Sequence, residues 1–176
     1  MTLALSVYQS SVGVYQVALP AFSAVLTKAA EHAVQAKFDA SVYMTLRLRP
    51  NMLPFARQVQ IFCDNAKNAT GRLTGVEAPR FEDNETTLDE LKARIDNTLA
   101  FLATLDKNAL EAGAAREIVF PLGPAKARMQ GDNYLLHFAL PNFYFHLTTA
   151  YDLLREAGVD LGKRDFLGNV PGLVLI

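Results

Sequence analysis

The sequence predicts an all-α fold, a four-helix bundle with kinked helices and a small β-hairpin inserted before the last helix. Three observations carry this. Four segments repeat apolar residues at alternating steps of three and four, the mark of one buried helix face. A capping-box pattern opens the third of them. Two-residue alternation is confined to one short stretch, residues 117–130. Four such stripes need a common core, and helix-on-helix packing buries them most simply.

The first helix is expected from Leu5 to Gln35, with the stripe Val7, Ser11, Val14, Ala18, Phe22, Val25, Ala29 and Ala33. Pro20 lies in phase within it, so a kink is expected there, since an interior proline removes a hydrogen bond at a cost of about 3 kcal/mol. Lys37 to Pro50 reads as an irregular connector with one helical turn around Ser41 to Thr45. Helix two is placed from Asn51 to Leu73, with Pro54 in its first turn, the stripe Phe55, Val59, Phe62, Ala66, Ala69 and Leu73, and Gly75 as its stop. The loop Val76 to Thr86 follows. Helix three starts at Thr87, with Glu90 closing the capping box, and turns Leu88, Leu91, Ile95, Leu99 and Leu102 inward. Ile118, Phe120 and Leu122 before Gly123-Pro124 mark the hairpin. Helix four runs from Asp132, as cap, to Ala157, with the stripe Leu136, Leu140, Phe143, Leu147, Ala150 and Leu154, a second kink at Pro141 and Gly158 as stop.

A chain of 176 residues with 51% hydrophobic content is expected to form one domain, 1–176, with 168–176 as a C-terminal tail. Seventeen basic against 18 acidic residues leave a net charge of −1, no footprint for a nucleic-acid backbone. The single Cys63 forms no internal disulfide and fits a reducing cytoplasm. The first basic side chain is Lys28, so no signal-peptide pattern opens the chain, and no apolar run is read as reaching the ~20 residues of a membrane span.

At ~100° per residue, His137 and His146 fall on opposite faces of helix four, whereas Asn142 and His146, four apart, share one beside Phe143 and Leu147. Gln58 sits at the core margin of helix two, and Gln60 points away from its stripe. Cys63 reads as a small buried thiol. Gly158 to Lys163 is one residue short of a phosphate loop, follows a helix, and has Arg164 where Ser or Thr is needed, so it reads as a helix stop and an exposed turn. Tyr151 and Arg155 read as surface stacking with favourable charge at a helix C-terminus. The aromatic run Phe143 to Phe145 covers more than one face, and Val12, Tyr15, Leu19 and Leu26 broaden the apolar side of helix one, so a homodimer is expected.

Arg57-Gln58-Val59-Gln60-Ile61, Phe81-Glu82-Asp83-Asn84-Glu85-Thr86-Thr87, Pro141-Asn142-Phe143-Tyr144-Phe145-His146 and Gly162-Lys163 to Gly168 together resemble the marks of a bacterial and fungal domain-of-unknown-function family. That family is a branch of the DinB/YfiT-like four-helix bundles, many of which look like metalloenzymes. The resemblance implies a three-nitrogen metal site on helices two and four, and its positions project onto Gln58, Asn142 and His146. Only His146 is an imidazole, and amide oxygens bind zinc or nickel poorly beside one, so no cofactor is expected, with a divalent metal held by His146 as the alternative. No catalytic residue is assigned. The expected function is that of a cytoplasmic, dimeric binding or interaction protein with a degenerate metal site, taking an unknown small molecule at Gln58, Asn142 and His146. The alternative is a metal-dependent hydrolase or thiol transferase using His146.

Overall fold

The computed structural model describes residues 6–174, so Leu5 and the end of the expected tail, residues 175 and 176, lie outside the described residues. The first helix opens in a π-helical turn (Gln9–Gly13) and continues as α1 (Val14–Ala36). Its start is capped from a distant segment. The Glu111 carboxylate accepts from Val7 N at 3.0 Å, from Tyr8 N at 3.2 Å and from the Ser6 hydroxyl. Such a carboxylate satisfies amides that have no partner inside the helix and meets the positive end of its dipole. α1 stops at Lys37, which takes the left-handed conformation (φ 59°) while Phe38 N reaches back to Ala33 O at 3.0 Å. The connector carries its expected turn as a 3-10 segment, Ala40–Thr45, capped by Asp39.

α2 (Phe55–Thr74) begins later than the expected Asn51. Residues 46–53 fold back instead, with Phe55 N on Leu46 O at 2.8 Å and Met52 N on Arg49 O at 3.0 Å, and Pro54 is the cap rather than a first-turn residue. α3 (Leu88–Ala103) has its capping box in full, Glu90 N on Thr87 Oγ1 at 3.2 Å and Thr87 N on the Glu90 carboxylate at 3.0 Å. Leu99 is half-buried, and the polar Thr98 takes the inward place beside it. A short α4 (Lys107–Ala112), capped by Asp106, carries Glu111 to the start of the first helix. The hairpin pairs β1 (Glu117–Leu122) with β2 (Ala125–Gln130), antiparallel, and turns at Gly123.

The last long helix is one rod made of α5 (Gly131–Tyr134), a π-helical turn (Leu135–Ala139) and α6 (Leu140–Glu156). It starts before Asp132, with Gln130 as cap. Gly131 is forced there, because a Cβ would sit 1.9 Å from Gly113 O. α7 (Lys163–Leu167) follows the stop and turn expected over Gly158 to Lys163, docked on α1 through Lys28–Asp165 at 2.8 Å. Tyr151 meets Phe166 of α7 edge to face, ring centroids 5.5 Å apart, and Arg155 approaches Asp160 instead.

α1 packs against α3 and α6, and so does α2. The order around the bundle is therefore α1, α3, α2, α6, and the two longest connections cross its diagonals. Edge-to-face rings of Tyr15, Phe22, Phe62 and Phe143 join three of the helices at centroid spacings of 4.8 to 5.9 Å.

Two packing expectations are corrected. Val12, Tyr15, Leu19 and Leu26, read as surplus surface for a partner, are wholly buried inside the chain, because α1 meets α3, α6 and α7 and needs a wide apolar face. In the last helix Leu135 (1% exposed) and Ala139 are buried where Leu136 (44%) and Leu140 were expected. The π turn holds an extra residue, so everything upstream slips by one position. The helical span Gln9–Ala36 is long and apolar enough by composition to cross a membrane, contrary to the reading above, but 44% of its most apolar window is buried in the bundle, where packing accounts for its apolarity.

Candidate functional site

A polar seam joins α2 to the last helix. Gln58, Asn65 and Arg72 are seven residues apart, which keeps them on one stripe because a heptad drifts only ~20° around a straight helix. Their partners descend the other rod. His146 Nδ1 lies 2.6 Å from Gln58 Oε1, Asn142 Nδ2 donates to Asn65 Oδ1 at 3.1 Å, and Arg72 Nη1 donates to Tyr134 Oη at 2.8 Å. The two helices run antiparallel along it.

The Gln58–His146 pair has a defined proton. Gln58 is buried, and its Nε2 donates to Leu53 O at 2.9 Å. A carbonyl only accepts, so the amide must turn Oε1 toward His146, and Nδ1 must carry the hydrogen. His146 Nε2 then holds the lone pair, and no hydrogen bond reaches it among the described residues. Burial pushes the imidazole below its ordinary value, which keeps it neutral at pH 7. Phe145 is exposed and stands edge-on to this ring at 5.1 Å. Chemically the pair presents one oriented base, able to accept a hydrogen bond or take a proton through Nε2.

Of the three residues expected to cluster, Gln58 and His146 meet directly. Asn142 lies one turn away and bonds Asn65, a partner that the seven-residue spacing from Gln58 could have found. His137 is exposed on the π turn. The donor set does not fit a resident transition metal: Gln58 Oε1 is committed to Nδ1, which leaves one imidazole nitrogen, and no three His, Cys, Asp or Glu side chains gather to hold an ion among the described residues. Cys63 is buried, and that burial pushes its thiol up to about 12, far from a thiolate nucleophile. A cleft of about 410 Å³ lies elsewhere, along Asn68, Arg72 and the turn after α2, away from this oriented base.

Sequence reasoning missed a charged cluster beside the seam. Arg94 of α3 is buried and uses all four terminal N–H groups: Nη1 on Glu82 O (3.0 Å) and Glu85 (2.8 Å), Nη2 on Asp64 (2.8 Å) and Asp83 (2.9 Å). Arg57 pairs with Asp83, Lys67 with Asp64 at 3.2 Å, and Gln60, off the apolar stripe yet buried, donates to Glu85 at 2.7 Å. Phe81 packs over both Lys67 and Arg94. Three cations thus meet three carboxylates, and the segment 81–85 is strapped across α2 and α3.

Among curated proteins none matches the chain. A crystal structure of a DinB family member protein from Shewanella denitrificans is similar over 96% of this chain and 95% of that one, at 36% identity and a TM-score of 0.88. The family described as a domain of unknown function, DUF1993, matches residues 7–167. A match over nearly the whole chain, joined to that likeness in structure, means that the chain belongs to the DUF1993 family, a DinB-like family of helical bundles.

Proposed function

We propose that the protein is a cytoplasmic, homodimeric binding protein that takes a small molecule at the Gln58–His146 pair, with Asn142 one turn below. The observation that carries this is the 2.6 Å bond from His146 Nδ1 to a glutamine that is itself anchored to Leu53 O, since it commits a buried amide to fixing the tautomer of one imidazole and leaves Nε2 with its lone pair. A ligand with a hydrogen-bond donor is the natural match for Nε2, and Phe145 offers it an apolar wall. With the α1 residues buried, the homodimer rests on exposed Phe145 and Tyr144, and light scattering at about twice the chain mass of 19.3 kDa is its test.

The rival reading, a metal-dependent hydrolase or thiol transferase, is favoured by one observation, that a neutral imidazole with a free Nε2 lone pair is also the state of a general base. Its metal lacks donors among the described residues, and its thiol would have to come from the substrate. A fragment screen read on the His146 ring signals, with zinc and nickel as separate arms on untagged protein, separates the two. A saturable organic ligand lost in His146→Gln supports the binding protein. One tight metal equivalent lost in the same variant supports the enzyme, and no response at His146 in any arm defeats both.

A further inference from the structure

His32, near the end of α1, is held as firmly as His146 but in the opposite sense. Its Nδ1 lies 2.6 Å from Tyr43 Oη, and Phe38 stands edge-on to its ring at 5.6 Å. Tyr43 is fully buried, and this is the one hydrogen bond its hydroxyl makes among the described residues. Burial raises the Tyr43 pKa, so the hydroxyl keeps its proton. If Nδ1 carried the hydrogen, the tyrosine O–H would face no acceptor, a loss of about 1–3 kcal/mol for a buried donor. The O–H therefore donates to Nδ1, the arrangement that puts the ring hydrogen on Nε2.

The Cε1–Nε2 edge of His32 faces a cleft of about 250 Å³, lined by Lys28, Glu31, His32, Gln35, Gly158 and Asp160. Gly158 borders the ring, a Cβ built there standing 3.8 Å from Nε2, and its φ of 94° favours glycine. Two of the charges are already answered, Lys28 by Asp165 at 2.8 Å and Asp160 by Arg155 at 3.8 Å. Glu31 has no ion-pair partner among the described residues, and Nε2 has no hydrogen bond. The cleft thus offers one directed N–H donor and one carboxylate outside any close ion pair, with Lys28 a turn away on the same helix.

We infer that this cleft is a second binding site, for a small amine that also carries an oxygen acceptor, with the ammonium on Glu31 and the oxygen on the His32 Nε2–H. The volume lies below the ~300–1,000 Å³ of drug-sized pockets, which restricts the ligand to a few heavy atoms. The inference is independent of the function proposed for His146.

Ethanolamine is the probe. Long-range ¹H–¹⁵N spectra of the whole protein near pH 8.5, about two units above an ordinary imidazole value, should show His32 with its hydrogen on Nε2. Titration should shift the His32 signals saturably while those of His146 stay still. Glu31→Gln, an exposed change, should weaken this binding about fivefold, and ethylamine, which lacks the oxygen, should bind about threefold or more weaker. Hydrogen on Nδ1 in the free protein, no saturable shift with ethanolamine, or unchanged binding by Glu31→Gln would overturn the inference.

Discussion

Arg94→Met tests the charged strap directly, because it removes the cation and keeps a side chain of similar length. Four hydrogen bonds disappear, three of them to carboxylates, and Asp64, Asp83 and Glu85 are left with only Arg57 and Lys67 to answer them. Removing one partner of a buried ion pair costs about 3–5 kcal/mol. The acids are unequally stranded: the side chains of Asp64 and Asp83 are 33% and 39% exposed and regain water, whereas Glu85, at 10%, does not. The lower end of that range, about 3 kcal/mol, is therefore expected. Urea unfolding at pH 7 reads it as a drop in midpoint with little change in slope. Burial alone would raise the Asp83 pKa, but the Arg57 and Arg94 guanidiniums outweigh it and leave the carboxyl below its ordinary value. A lowered folded-state pKa contributes stability that is present above the unfolded value and lost as pH falls, so the gap between the variant and the parent should narrow below about pH 4. A loss under about 1 kcal/mol at pH 7, or a gap that widens in acid, would refute the reading of Arg94 as the centre of the strap.

Tyr15→Phe should stabilise the protein by about 1 kcal/mol, since the Tyr15 hydroxyl is buried with no partner among the described residues, and a lower melting temperature would mean that the hydroxyl has one. Leu135→Ala should cost about 2–5 kcal/mol and Leu136→Ala under about 1, and the reverse order in denaturant melts would remove the π-turn register. His146 has a folded-state pKa below the unfolded 6.5, so the unfolded chain binds the extra proton first and stability should fall as pH drops from about 6.5 through the folded value. His146→Gln should flatten that part of the stability profile, and a slope of equal size in the variant would show that His146 is not its source.

What the sequence made legible was whatever depends on neighbours along the chain. The capping box at Thr87, the stops at Gly75 and Gly158 and the hairpin turn at Gly123 are local chemistry, and each stands where it was expected. Phase arguments held for most of the regular helices, though Leu99 was expected inward and Thr98 takes that place, and the positions that the family resemblance projected onto Gln58 and His146 come into contact across two helices. They failed at Leu136 because a π turn changes the count of residues per turn, and no periodicity computed at 3.6 shows that. They failed differently on α1, whose surplus apolar residues were assigned to a partner when three neighbouring helices cover them. The Arg94 cluster was missed because two of its three acids, Asp83 and Glu85, lie on a loop, although an arginine flanking Ile95 on the inward side of α3 was already a buried charge in need of answer.

Apolar stripes alone leave the sliding register of α2 against the last helix weakly determined, since one leucine or phenylalanine packs nearly as well as its neighbour a turn away. The seam of Gln58, Asn65 and Arg72 against His146, Asn142 and Tyr134 reduces that freedom, because a shift of one turn would break three part-buried contacts together and strand the buried Gln58 and Tyr134. His146 is therefore oriented by the same interaction that helps to set the helix register, so helix position and ring orientation rest on one contact, Gln58 to His146.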